Sequence, residues 1–495
     1  MITALQTRLN CDKSKICFKA RADLKGTWIS MEDKKITNTA KWLIRIWNIG
    51  LFIIVWFGYY NELTYDMHRL EGGIASCIAY VVIYSWFCNT YHVFRLASSS
   101  VSDSIFGQIV AIGVSDLLLY LESCVSSHSF IQMYPGFFVA VLQIVGSALI
   151  VSGIKSYFVK HLAPQKMFMV YGKSIEREEA QKFCSLLEKK YPYIFQFIYV
   201  KQEEMPKEEF FSALEKCDSV MLYEISHGLR GMYMKTCTEY KKGFYFTPRI
   251  EDIFCQGSEE KNLTDTPLLK YKYVYEMKSG YFGKRLFDLV LSALFLILLS
   301  PVFLLTALCI KLEDGGPVFY RQKRCTKNGR VFEILKFRSM VVNAEENGAM
   351  PCTDHDVRVT RIGRLIRATR IDELPQIINI LKNDMSFVGP RPERVEHIEK
   401  YMKEMPEFSY RFRVNGGLTG YAQVWGKYNT SAYDKLRYDL MYIENQSFYL
   451  DFKILVLTFR TVFKSESTEG FDTTQSTELK QEIKEPKTLL RKMQQ

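Results

Sequence analysis

Four apolar stretches follow one another in the N-terminal part of the chain: Ile46 to Tyr60, Gly72 to Thr90, Ile105 to Leu121 and Phe137 to Ile154. Each approaches the roughly 20 residues that a helix needs to cross a hydrocarbon core about 30 Å thick. Buried helices of a soluble domain would also be apolar. Four in succession, with Trp42, Trp47, Trp56, Tyr59 and Tyr60 near the ends of the first, favour a bilayer, where aromatic side chains collect at the interfaces. The expectation is a four-helix transmembrane bundle over residues 46–157, preceded by a basic cytoplasmic segment, 1–45. Asp116 in the third stretch is costly in lipid and is expected to face the bundle interior in a helix-to-helix polar contact.

Orientation follows from the flanks, because Lys and Arg are retained on the cytoplasmic side. The segment before the first stretch carries Lys13, Lys15, Lys19, Arg21, Lys25, Lys34, Lys35, Lys41 and Arg45, whereas the first connection has Glu62, Asp66 and Glu71 against Arg69. Lys155, Lys160 and Lys166 follow the fourth, so the chain is expected to return to the cytoplasm. The formal charge of +11 does not by itself select a partner. The 12 cysteines are scattered without a CxxC pair, which fits thiols in a reducing compartment.

Residues 165–271 read as a small Rossmann-like α/β module. Met167 to Tyr171, Tyr193 to Val200 and Ser219 to Tyr223 alternate with helical patterns at Ile175 to Lys190 and Glu208 to Lys216. The first strand ends in Tyr171-Gly172-Lys173-Ser174, which lacks the several glycines of a dinucleotide-binding turn. A structural or regulatory role is expected. The Ser-, Thr-, Glu- and Lys-rich segment 465–495 reads as disordered.

A fifth apolar run, Leu286 to Ile310, has basic residues on both sides: Lys284 and Arg285 before it, Lys311, Arg321, Lys323 and Arg324 after it. Both ends therefore carry the cytoplasmic signature. Ser300-Pro301 lies near its middle, where proline removes an amide donor and breaks the helix, and the serine hydroxyl can bond a carbonyl left without a partner. A re-entrant hairpin over 286–310 is expected, with a kinked spanning helix as the alternative.

The chemistry-bearing residues lie downstream. Arg358, Arg361, Arg364, Arg367 and Arg370 recur every third residue and lead into Arg370-Ile371-Asp372-Glu373-Leu374-Pro375-Gln376. Helical spacing would gather these cations on one slowly rotating stripe beside a vicinal Asp-Glu pair, keeping the pair ionised and leaving one carboxylate able to act as a nucleophile. Lys336 and Arg338 add two cations in Lys336-Phe337-Arg338-Ser339-Met340. Arg391, between Pro390 and Pro392, is restricted by its neighbours and suited to an anion. Gly417-Leu418-Thr419-Gly420 reads as a tight turn. A nucleotide-sugar glycosyltransferase using Asp354-His355-Asp356 would need a large preceding nucleotide-binding sheet, and a hairpin stands there instead.

Together these motifs resemble the monotopic phosphoglycosyl transferases of bacteria, over roughly Lys284 to Lys464, in family order from Ser300-Pro301 to Leu418–Trp425. The four spans and the α/β module resemble the longer, hexose-1-phosphate-transferring members. One departure is Gly416, where many members have proline. The resemblance implies a mainly helical catalytic domain at 280–464 in an α/β protein of the inner (plasma) membrane. It also implies a ping-pong reaction on the cytoplasmic side that begins exopolysaccharide, capsule or O-antigen synthesis. Asp372 attacks a UDP-hexose, UMP leaves, and polyprenyl (undecaprenyl) phosphate takes up the phosphosugar. Asp372 and Glu373 are the implied catalytic and Mg²⁺-binding pair. Lys336, Arg338, Arg361, Arg364, Arg367 and Arg391 are the implied phosphate-binding groups, and Ser300, Pro301, Pro390 and Pro392 the structural ones. Analogy favours a hexose without an acetamido group. Membrane lipid, UDP-sugar and polyprenyl phosphate are the expected partners, with a homodimer and without nucleic acid. The competing reading is a non-catalytic assembly or sensor protein of the same pathway. All candidate groups lie after Lys284, so a chain beginning near Lys278 is expected to retain activity.

Overall fold

A computed structural model describes residues 31–64, 69–94, 101–161, 164–192, 194–263, 266–271, 278–344, 356–426 and 430–462. The expectations for residues 1–30, for Asp354 and His355 and for the tail at 465–495 lie outside these residues. The chain divides into two compact units, Met1–Thr247 and Pro248–Gln495.

In the first unit, four helices are long and apolar enough to cross a membrane: α1, Met31–Val55, continuing through a π-turn to Thr64; α2, Arg69–Thr90; α3, Val101–Ser126; and α4, Tyr134–His161. Their outward surface is apolar, with Ile46, Ile54, Ile78, Val82 and Leu149 exposed. Their interior is polar. Asn48 donates to Ser147 Oγ and meets Tyr84 OH, each at 2.9 Å, Tyr84 OH donates to Gln108 at 3.0 Å, and Gln143 Nε2 reaches Tyr80 OH at 3.0 Å. In lipid such bonds hold helices together where apolar burial gives little drive. Asp116 is enclosed as expected, with Tyr80 of α2 acting on its carboxylate across the helix pair, beside a cavity of about 30 Å³ also lined by Trp56, Tyr60 and Tyr120.

The same unit holds a four-stranded parallel sheet in the order β2-β1-β3-β4, with β1 Gln165–Tyr171, β2 Phe195–Gln202, β3 Ser219–Tyr223 and β4 Gly243–Phe246. Helices α5, Arg177–Lys190, α6, Lys207–Lys216, and α7, His227–Glu239, connect the strands. Buried Phe168, Val170, Val220 and Leu222 form its core with Phe210, Leu214 and Tyr233. β4 and α7 escaped the sequence reading: Gly243–Phe246 is four residues long, and α7 carries Gly228 and Gly231, which weaken a helical signal.

The module does not run to residue 271 as one piece. Helix α8, Ile250–Gln256, places Ile250 and Ile253 in the core of the second unit with Ile380, Met385, Phe387, Phe408, Leu436 and Leu440. Tyr271, just after the hairpin β5 (Glu259–Leu263) and β6 (Thr266–Lys270), donates to Glu444 at 2.7 Å.

The fifth apolar run is two helices, α9, Lys278–Leu298, and α10, Ser300–Asp314, bent by 60° at Leu299. Pro301 cannot donate to Ile297, four residues back, and Ser300 Oγ takes that carbonyl at 2.8 Å. Leu294, Ile297, Leu298, Leu304, Leu305 and Leu308 are exposed around the bend. Beyond it come the antiparallel pair β7 (Phe319–Cys325) and β8 (Val331–Phe337), helices α11 (Arg361–Ala368) and α12 (Gln376–Leu381), and strand β9 (Ser386–Val388). Helix α13 (Val395–Glu404), strand β10 (Gly417–Thr419) and helices α14 (Tyr421–Trp425), α15 (Ala432–Glu444) and α16 (Phe448–Val462) complete the unit.

Candidate active site

Asp372 and Glu373 lie in a 3₁₀ turn, Ile371–Glu373, between α11 and α12. The turn exists because α11 stops abruptly. Its N-cap Thr360 accepts from Gly363 at 2.9 Å, and the helix lasts eight residues before Arg370 enters the left-handed region at φ 59°. The arginine stripe expected from Arg358 to Arg370 is therefore broken. Arg358 folds back on Asp356, Arg361 and Arg364 are exposed, and Arg367 and Arg370 remain close enough to act on Asp372.

After the turn, α12 is stitched to β8 through Asn379, whose side chain accepts from Leu335 N at 2.9 Å and donates to Glu333 O at 2.8 Å, as a neighbouring strand would. Arg285 of α9 caps the other end of α12, at Ile380 O (2.7 Å) and Leu381 O (2.8 Å). The base of the hairpin thus fixes the helix that follows the acidic pair. This stitching brings Lys336 of β8 to Glu373, Nζ to Oε1, at 2.8 Å.

Arg391 bonds the same Glu373 oxygen. Its loop is held at consecutive carbonyls: Gly417 N donates to Pro390 O at 2.9 Å, Arg411 to Arg391 O at 2.7 Å and Arg324 to Pro392 O at 3.0 Å. Arg411 pairs with Asp439 at 2.8 Å, and burial pushes Asp439 up to about 6 although Arg411 pulls it down. Gly417 to Gly420 is a strand and its exit, β10 pairing in parallel with β9, and departs from the tight turn expected. Gly389 and Gly417 must lack side chains here, since their backbones approach each other too closely for a Cβ. Gly416 does not loosen the loop, because its N–H donates to Thr326 Oγ1 at 3.0 Å, a bond proline cannot make.

The two acids are electrostatically unlike. Burial works to raise Glu373, but Arg391 and Lys336 outweigh it and hold its carboxyl well below the usual range. Asp372 is pushed up, first by burial and then by the Glu373 charge, against the pull of Lys336, Arg367 and Arg370. Its carboxylate makes no hydrogen bond or ion pair among the described residues. This donor set suits Mg²⁺ as a partial ligand shell. Mg²⁺ binds proteins through one or two carboxylates and takes its other oxygens from phosphate and water, and no cluster of three His, Cys, Asp or Glu is present among the described residues to form a full cage.

Of the remaining expected phosphate ligands, Arg338 is buried in an ion pair with Asp314 at the end of α10, where it ties the hairpin to β8. Arg370, Arg324, Arg411 and Arg285 are the residues that sequence reasoning did not assign to the site. The first was visible as the residue adjoining the acidic pair. The other three act through backbone carbonyls, which leave no motif.

The family described as bacterial sugar transferase matches residues 279–465. The UDP-N-acetylgalactosamine-undecaprenyl-phosphate N-acetylgalactosaminephosphotransferase of Aeromonas hydrophila is 46% identical over 184 residues, 37% of this chain and 44% of that one. The UDP-glucose:undecaprenyl-phosphate glucose-1-phosphate transferase of Escherichia coli is 36% identical over 264 residues, 51% of this chain and 53% of its own. The chain thus spans about half the length of these two relatives. The enzyme of the same name from Caulobacter vibrioides is matched over 71% of its length, at 40% identity across 37% of this chain. The chain belongs to the bacterial sugar transferase family.

Proposed function

We propose that the chain transfers a sugar phosphate from a UDP-sugar to polyprenyl phosphate through a covalent intermediate on Asp372. The observation that carries this is the asymmetry of the acidic pair: a carboxylate without hydrogen bonds among the described residues stands next to one fixed by two cations. Asp372 Oδ attacks the β-phosphorus, the bridging P–O bond breaks, and its electron pair leaves with UMP. An oxygen of polyprenyl phosphate then attacks the phosphosugar, and the Asp372–phosphorus ester opens to regenerate the carboxylate. Lys336, Arg367 and Arg370 favour the ionised nucleophile, and Arg391, oriented by Glu373, faces the phosphoryl charge. Mg²⁺, held by Asp372 or the second Glu373 oxygen, would neutralise charge on the diphosphate when bound. The relatives' names include both glucose and N-acetylgalactosamine donors, so the proposal stops at the class of UDP-sugars.

The α9–α10 bend, with basic residues on both flanks and an apolar surface at the bend, supports a hairpin that enters and leaves by the cytoplasmic face of a bacterial inner membrane. Cysteines at Gly283 and Pro317 in a cysteine-free background are both expected to be shielded from an impermeant reagent outside intact cells. Labelling at 317 alone would mean a true crossing. Position 317 is chosen because Gly315 has φ 71°, where a cysteine would be strained.

Purified full chain given a panel of UDP-sugars should release UMP with one of them and carry a phosphosugar on Asp372 that is detectable by mass spectrometry. Asp372→Asn should lower UMP release by about 10³-fold or more, the loss expected when a covalent route is removed. Turnover by this variant near the wild-type rate would sink the covalent mechanism.

A further inference from the structure

At the end of α4 the first unit has a cavity of about 450 Å³ lined by Lys155, Ser152, Ser156, Lys160, Val101, Val159 and, from α5, Lys190. Lys155 is 3% exposed, so its ammonium stem is enclosed, whereas Lys160 and Lys190 are exposed at the rim. Asp103 of α3 acts electrostatically on Lys155, which leaves the lining with a surplus of cations. Neither Lys160 nor Lys190 has a carboxylate partner among the described residues.

We infer that this cavity binds the phosphodiester headgroup of an anionic membrane phospholipid. The position is suited to it. α4 is the most apolar of the four candidate spans, with a mean hydropathy of 2.3, and the three lysines stand at and just beyond its last turns, where the headgroup layer of a membrane would begin. Val101 and Val159 offer an apolar wall for the first methylenes of an acyl chain, Ser152 and Ser156 offer hydroxyl donors, and the lysines offer charge. Lys155, enclosed and acted on by Asp103, forms the floor of the cavity, and the exposed Lys160 and Lys190 supply the charge at its rim. Because two of the three lysines stand open to the surroundings, the occupant exchanges with the bilayer, and mass action fills the cavity with the commonest lipid of the right charge. The inference rests on membrane placement of the bundle and not on the transfer chemistry, so it also holds for an Asp372→Asn chain.

The full chain in nanodiscs of phosphatidylcholine with a graded fraction of phosphatidylglycerol should retain one phosphatidylglycerol, read by native mass spectrometry after release from the disc. Lys160→Gln with Lys190→Gln, both exposed and safe for folding, should weaken retention by about fivefold for each lysine removed. Lys216→Gln with Lys235→Gln, an equal charge change at exposed positions outside the cavity, should leave retention unchanged, as should UMP release in the cavity variant at saturating acceptor. Equal loss in both double variants, or full retention in the cavity variant, would overturn the inference. It would also be overturned if polyprenyl phosphate displaced phosphatidylglycerol at equal concentration and the cavity variant raised the KM for that acceptor, since the occupant would then be the substrate.

Discussion

Two acids show how differently the two units use a buried carboxylate. Glu203, after β2 in the parallel sheet, accepts from Lys173 N at 3.0 Å and from Ser226 N at 2.6 Å. It closes the ends of β1 and β3 with backbone amides, at the place where a doubly wound sheet commonly binds ligands. Glu373 instead accepts from two side-chain cations, Lys336 and Arg391, and its neighbour Asp372 takes none of these bonds. The first carboxylate completes a fold. The second arranges charge around a group left without a partner, and such unlike titratable neighbours mark acid, base and nucleophile assignments.

The largest expected effect comes from exchanging each acid for its amide. Glu373→Gln leaves the half-buried Lys336 and Arg391 beside a neutral group, a loss of about 1–3 kcal/mol in stability after screening by solvent at Arg391. The misplacement of Arg391 should also lower UMP release per folded site by about 10²-fold. Partial rescue by raised Mg²⁺ would assign Glu373 to metal binding as well. Glu203→Gln replaces one acceptor oxygen by a donor opposite a backbone N–H, and about 1–3 kcal/mol should be lost with no change in activity per folded site. If Glu203→Gln lowered the rate while Glu373→Gln did not, the roles assigned to the two acids would be reversed. Denaturant unfolding and intermediate trapping on the same samples give both readings.

A smaller effect concerns where the catalytic unit starts. A chain beginning near Lys278 keeps every candidate catalytic group but loses α8 and Tyr271. Ile253 is fully buried and Ile250 nearly so, Phe254 stacks under Arg413 at 5.0 Å, and Tyr271 shares the Glu444–Arg413 ion pair. Removing two buried isoleucines alone should cost about 3 kcal/mol or more. A chain beginning at Pro248 should therefore unfold at higher denaturant than one beginning at Lys278, with equal intermediate per folded site. Equal midpoints would mean that α8 belongs energetically to the first unit.

What could be read from the chain follows the range of the interactions. Helical spans, the alternating strands of the module and the Ser300-Pro301 break arise from local periodicity and one proline; the strands and the break stand within two residues of expectation, whereas α1 and α4 run past their apolar stretches, to Met31 at one end and His161 at the other. The acidic pair was legible because vicinal carboxylates among arginines are unusual. The fate of the arginines was not legible. Whether Arg338 meets a phosphate or Asp314, and whether Arg361 faces the site or solvent, depends on the 60° bend and on an αL residue at Arg370 that ends α11 early. Neither angle is encoded in residue spacing. The same holds for α8, which lies outside the matched family region yet supplies core side chains to the second unit.

The finest expected effect is the opposite pH response of Asp372 and Glu373. The Glu373 carboxyl is held well below its unfolded value, so its contribution to stability is present above the unfolded pKa and is lost as pH falls through the folded one. The Asp372 carboxyl is raised, so the fold favours its proton; its contribution is complete below the unfolded pKa and is lost as pH rises through the folded value. At neutral pH, Asp372→Asn should thus be more stable than the wild type, and the gain should vanish toward acid. Activity runs the other way, because the nucleophile must be ionised. The acid limb of kcat/KM should lie above the ordinary aspartate value of about 3.9, and Lys336→Met should move it further upward by removing a cation that favours the charge. Because kcat/KM reports the free enzyme, a limb at or below the ordinary value, or one that Lys336→Met moves downward, would overturn the raised Asp372 carboxyl.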